Sequence, residues 1–203
     1  ILLGTAVLFL SDENISNFVP EKRLMVAFFQ SMTAFTTVGF NSYPIGEITH
    51  APLFFVVLLM LIGASPSGTG GGMKSTTFTA LYAQLKSTFR GDYEVNYMNR
   101  KIPEHRVRMA TSNFFFYVIV ICTGIYLLLL VQDQDIFVVL FEAVSALGTV
   151  GISVGITGEL TDLGKCIIML LMFLGRIGPL SFGIVLFSTN KDDEVVLEED
   201  LAI

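Results

Sequence analysis

The chain has no tryptophan, only two cysteines and two histidines, and little charge. Asp, Glu, Lys and Arg make up 15% of its residues, against roughly 25% in an ordinary soluble domain. Each scarcity excludes something. A soluble protein of 203 residues has enough chain for a core but here lacks the charge to cover its surface. Cys122 and Cys166 sit in separate apolar runs, without CxxC spacing or a neighbouring histidine; this leaves them as packing or lipid-facing thiols rather than a metal or redox pair. His50 and His105 stand alone at segment edges and form no ligand set. No nucleophile–base pair or paired carboxylates appear, so no enzymatic chemistry is implied. The basic residues form one short cluster beside apolar sequence, not the extended positive face that nucleic acid requires.

What the chain does contain is apolar sequence. Hydrophobic residues make up 53%, Phe alone contributes 18, and the mean hydropathy is +0.69. These values point to a membrane protein. The net charge of −6 comes largely from six acids in Asp192–Asp200 and says little about partners.

Within the apolar sequence one pattern recurs. Phe29–Phe40 reads FQSMTAFTTVGF, and 112 residues further on Phe141–Ile152 reads FEAVSALGTVGI. The Phe, Ala, Thr, Val and Gly positions coincide without a gap, and Gln/Glu and Thr/Ser are conservative pairs. Each copy is a short apolar helix running into Thr-Val-Gly and then into polar, Gly-containing sequence. Leu24–Phe35 and Ile136–Leu147 are too short to cross a hydrocarbon core of about 30 Å, which takes about 20 helical residues, so re-entrant helices are expected. A helix that stops at such a turn presents unpaired carbonyls and the negative end of its dipole. Carbonyls of this kind can replace the hydration shell of potassium or sodium. The candidate ion ligands are Thr37, Val38, Gly39 and Phe40 with Thr149, Val150, Gly151 and Ile152. No Tyr-Gly follows either Thr-Val-Gly, and looser discrimination between potassium and sodium is therefore expected than in a TVGYG filter.

The rest of the chain is arranged around these two loops. Ile1–Leu10 has no initiator Met or basic leader and reads as the tail of a spanning helix, the chain being the C-terminal part of a longer protein. Ser11–Glu21 is a polar loop. Leu53–Gly63 begins a second span that breaks at Gly63–Lys74, GASPSGTGGGMK. Pro66 removes a donor, and each glycine in a helix costs roughly 1 kcal/mol relative to Ala. Irregular backbone at membrane depth survives only where protein or water satisfies it, so Ser65, Gly68, Gly70, Gly71, Gly72 and Lys74 are candidates for a mobile constriction below the filter; a static bend is the alternative. A phosphate-binding loop is disfavoured because Met73 separates Gly72 from Lys74. The helix resumes at Ser75–Phe89. Six of the twelve basic residues fall in Lys86–Arg108, which makes Arg90–Arg108 cytoplasmic. Asn113–Val131 and Asp162–Phe187 span, and an acidic tail follows. Arg176, 112 residues after Ala64, is a charge inside an apolar run. Such residues usually line an ion path; a structural arginine packed on a helix end is the alternative.

Three ordered motifs, TTVGFN, SPSGTGGGMKSTTF and GRIGPLSF, resemble the Trk/Ktr superfamily of potassium transporters, most closely the Ktr-type membrane subunit. The resemblance covers essentially the whole chain and implies four helix–pore loop–helix repeats about one axis, of which these are the third and fourth. It implies that Gly39 and Gly151 are filter glycines, that Ser65–Lys74 is the intramembrane gating loop and that Arg176 lies beneath the filter. It also implies a homodimer on a cytosolic ring of nucleotide-binding regulatory subunits, with potassium as the transported ion, sodium as a stimulating ion and no covalently bound cofactor.

The expected architecture is thus an all-α membrane protein of two pore-loop repeats. Residues 1–90 are the first repeat, 91–110 a basic cytoplasmic loop, 111–188 the second repeat and 189–203 the tail. The expected location is the cell membrane, with lipid and the two N-terminal repeats as neighbours. The expected function is potassium uptake. A secondary active symporter with a broken-helix binding site and a non-conducting regulatory subunit are the other two readings.

Overall fold

The computed structural model describes residues 1–63, 71–91, 94–98 and 100–178. Among these, the chain forms α1 (Leu2–Ser11), α2 (Glu13–Ser16), α3 (Pro20–Thr36), α4 (His50–Leu61), α5 (Ser75–Arg90), α6 (Glu104–Val131), α7 (Ile136–Leu147) and α8 (Asp162–Ile177). A two-residue antiparallel ladder, β1 (Asn96–Tyr97) with β2 (Arg100–Lys101), lies between α5 and α6.

The elements fall into two matching sets. In the first, α1 packs on α3 and α4; in the second, α6 packs on α7 and α8, and α4 meets α7 between the sets. The inner helices keep the 112-residue relation: α4 begins at His50 and α8 at Asp162, after Thr49 and Thr161 at the N-caps. The outer helices are offset by 120 instead, with α1 ending at Ser11 and α6 at Val131. The eight extra residues of the first repeat hold the short helix α2. Packing obeys the same two offsets. A Cβ on Gly4 would lie 2.7 Å from Leu59 Cδ1, and one on Gly124 would lie 2.8 Å from Leu171 Cδ2. Each outer helix therefore uses a glycine to admit the leucine of its inner helix, the small-residue contact by which helices approach closely in a membrane.

A second repeated contact joins the same pairs of helices at their other end. Asp12, which follows α1 and is buried, accepts from the Thr49 N–H at 3.0 Å, the Thr49 hydroxyl at 3.2 Å and the Ile15 N–H at 2.8 Å. Gln132, which follows α6 and is also buried, donates from Nε2 to Thr161 Oγ1 at 2.7 Å. Both ties run from the end of an outer helix to the N-cap threonine of an inner one.

The largest differences from the boundaries read off the sequence are at two helix starts. Helix α3 starts at Pro20, where a polar loop was expected, because Pro at the first helical position is preorganised and Glu21 complements the dipole. Helix α6 starts at Glu104, nine residues before Asn113, because polar residues with an acid in the first turn form helix as readily as apolar ones. At 28 residues it is about 42 Å long and is the one described helix long and apolar enough to cross a membrane; α1, α4 and α7 are shorter apolar helices. The described part of α8 ends at Ile177 with Gly178 at its C-cap, and the expected continuation to Phe187 lies outside the described residues.

Candidate functional site

The two Thr-Val-Gly turns have one backbone geometry. Thr37 and Thr149 adopt positive φ values of 55° and 52°, and Gly39 and Gly151 both have φ of 85°. A non-glycine residue in the left-handed region is uncommon, so its recurrence at matched positions marks one built turn used twice. The same hydrogen bond closes both: the Val38 N–H donates to the Thr33 carbonyl at 3.2 Å and the Val150 N–H to the Ser145 carbonyl at 2.9 Å. Behind each turn stands a buried hydroxyl. Thr33 Oγ1 accepts from the Phe40 N–H at 3.0 Å, and Ser145 Oγ donates to the Ile152 carbonyl.

The turns also lie side by side. A Cβ on Gly39 would collide with the Val150 carbonyl oxygen, and one on Gly151 would lie 3.8 Å from Gly39 Cα. Glycine is required at position 39 for both its φ and its neighbour. Val38 and Phe40 are exposed, whereas Val150 and Ile152 are buried.

One turn of helix before each hydroxyl, a polar side chain holds the return loop. Gln30 donates from Nε2 to the Tyr43 carbonyl at 2.7 Å, and Glu142 accepts from the Val154 N–H at 3.0 Å. The side chain of Tyr43 belongs to the outer loop. Burial, then the hydrogen bond and charge of Glu47 and the charge of Asp12, push its hydroxyl up to about 12, so it remains protonated at neutral pH.

The residues below the turns come from three elements. Ile62 and Met73 pair in a parallel bridge across the break after α4. The Gly71 N–H donates to Thr149 Oγ1 at 2.8 Å. Gly71 has no room for a side chain, since a Cβ would run into the Thr149 side chain and lie 3.0 Å from the Gly175 carbonyl oxygen. Gly72 has φ of 74° and rests on the backbone of Gly148. Gly175 is pressed against the Leu147 carbonyl at the end of α7, and a Cβ on Gly63 would lie 2.8 Å from the Gly71 carbonyl oxygen. Gly63, Gly71 and Gly175 thus form one stack directly beneath the second turn.

Among the expected site residues, all eight Thr-Val-Gly-Phe/Ile positions fall in the paired turns. Gly71 and Gly72 lie under the second turn. Lys74 stands at the N-cap position of α5, and Arg176 occupies the last turn of α8 beside Gly175. Ser65, Gly68 and Gly70 lie outside the described residues. Sequence reasoning assigned no role to Gln30, Glu142, Thr33 and Ser145. Their signal was available: each is a polar residue in an apolar helix at a repeat-equivalent position. Thr37 Oγ1, the counterpart of the hydroxyl held by Gly71, is buried without a hydrogen-bond partner among the described residues.

Repeated helices with paired backbone turns at their C-terminal ends thus lie beside one long apolar helix. Residues 5–196 match the TrkH family, described as a cation transport protein, and the chain belongs to that family. Among its relatives, the Ktr system potassium uptake protein B of Bacillus subtilis is 36% identical over 172 residues, which cover 85% of this chain and 38% of that protein. Ktr system potassium uptake protein B of Vibrio alginolyticus is 33% identical over 92% of this chain and 42% of its own length. The potassium/sodium uptake protein NtpJ of Enterococcus hirae is 33% identical over 88% and 41%. The chain therefore spans about two fifths of the length of these relatives. The crystal structure of the potassium transporter TrkH from Vibrio parahaemolyticus superposes with a TM-score of 0.75 at 20% identity, covering 93% of this chain and 43% of that one, and so shares its fold.

Proposed function

We propose that this chain supplies two of the four walls of a potassium uptake pore in the cell membrane. The observation that carries the reading is the pairing of two matching turns: Thr in the left-handed region, Gly at φ of 85°, and the two glycines so placed that a Cβ on either would meet the Cα of the other. Two carbonyl-bearing strands in this arrangement leave the other half of a coordination ring to the two further repeats. Potassium is the substrate, drawn inward by a membrane potential worth about 2.3 kcal/mol per charge per 100 mV. Sodium enters as a stimulating or competing ion, a reading supported by the relative described as a potassium/sodium uptake protein and by the missing Tyr-Gly.

In the same reading Gly71–Lys74 belongs to the gate, and its docking on Thr149 and Gly148 is the closed position. Arg176, beside the glycine stack, adds a positive charge below the filter and raises the barrier to cations. The pore works as a homodimer on a cytosolic ring of nucleotide-binding regulatory subunits.

The test is rubidium uptake in cells stripped of their own potassium uptake systems, with the full-length protein and its Gly39→Ser and Gly151→Ser variants. Either change should weaken uptake and let sodium compete better. Uptake unaffected by both would transfer the role to another part of the chain and favour a symporter with its site in the helix break.

A further inference from the structure

Glu142 is a carboxylate in the middle of the apolar helix α7, only 5% exposed. Its oxygens accept from the Val154 N–H at 3.0 Å, from the Thr157 hydroxyl at 3.1 Å and from the Ser153 hydroxyl. All three donors are neutral. The ion pairs of Lys101 with Glu94 and of Arg108 with Glu104 lie elsewhere, in or beside the connection between α5 and α6. Hydrogen bonds favour a charged carboxylate, yet a buried charge is normally also paired with an opposite one, and among the described residues Glu142 forms no ion pair. The donors belong to the segment that directly follows Ile152, so the carboxylate stands immediately behind the outer end of the second turn. The equivalent side chain in the first repeat is the neutral Gln30, which ties its own return loop through Nε2.

We propose that Glu142 is a fixed negative charge that raises the affinity of the filter's outer end for the entering cation. It acts through its field, without touching the ion, and the permeant cation is its missing partner. This rests on the pore reading above. A purely structural role, tying down residues 153–157, would use the same hydrogen bonds, so the test must separate charge from shape.

Coulombic attraction scales with the charge of the ion, and this provides the separation. In the full-length protein, the KM for rubidium uptake and the inhibition constant of barium are measured together. Glu142→Gln keeps the side-chain shape and one acceptor oxygen. It should raise the rubidium KM about five-fold and the barium constant by about the square of that, some twenty-five-fold, with the maximal rate little changed. Glu142→Asp should stay near the parent values. Thr157→Val, which removes one of the ties but keeps the charge, should leave both constants near the parent values, and if Glu142→Gln does not reach the membrane a shift in Thr157→Val decides the matter against the charge. Equal shifts for the two cations, a fall in maximal rate alone, or no change in either constant would overturn the proposal. Those results would leave the pore reading intact where Gly39→Ser and Gly151→Ser impair uptake; unimpaired glycine variants would overturn both.

Discussion

Thr149→Val tests whether the glycine loop is held shut by the filter itself. The substitution keeps the side-chain volume and the backbone carbonyl but removes the acceptor of the Gly71 N–H. A neutral hydrogen bond contributes about 0.5–1.5 kcal/mol net. Taken from the closed state alone, that shifts the open population by about two- to twelve-fold. The readout is the ratio of rubidium uptake by the membrane subunit alone to uptake with the regulatory ring proposed above, which cancels any change in conduction through the open pore. The ratio should rise by that factor in Thr149→Val and stay near the parent value in Thr149→Ser, which restores the hydroxyl. Thr37→Val provides the control. Its hydroxyl occupies the equivalent position but has no hydrogen-bond partner among the described residues, so its removal should leave the ratio unchanged. Equal ratios in Thr149→Val and Thr37→Val, or equal rises in the Val and Ser variants at position 149, would refute the latch.

Two further outcomes follow from the packing. Asp12→Ala removes the acceptor of three hydrogen bonds, two that tie the end of α1 to the start of α4 and one that caps α2; at about 1.5–3 kcal/mol for bonds to a charged group, partly compensated by water, a loss of about 3 kcal/mol is expected, seen as a melting temperature lower by several degrees in detergent, and an unchanged melt would remove the tie from the account. Arg176→Ala, beside the glycine stack, should raise flux or change its voltage dependence in current recordings, and unchanged conduction would end its part in the gate.

The repeat was legible because its two copies match without a gap through the whole of each short helix and its turn. Ile136–Leu147 could be bounded from sequence because Asp135 caps one end, accepting from the Phe137 N–H, and Gly148 follows the other. The first helix was harder, since Pro20 and Glu21 look like loop residues until position makes them helix starters. The outer helices hid their correspondence because the offset changes from 112 to 120 across α2; the packing of Gly4 on Leu59 and Gly124 on Leu171, with the ties of Asp12 to Thr49 and Gln132 to Thr161, aligns them. Sequence also gave no means of knowing which filter turn the glycine loop would meet. That contact joins Gly71 to Thr149, 78 residues away, and no local pattern encodes it. Gln30 and Glu142 were visible as a conservative pair, but what they hold depends on where the return loops fold.

The most direct test of the central claim is anomalous diffraction from crystals of the full-length protein grown in rubidium. The account predicts an ion peak on the axis at the level of the Gly39 and Gly151 carbonyls, lost when either glycine is replaced by serine. Density confined to the break between α4 and α5, with none between the two turns, would contradict it.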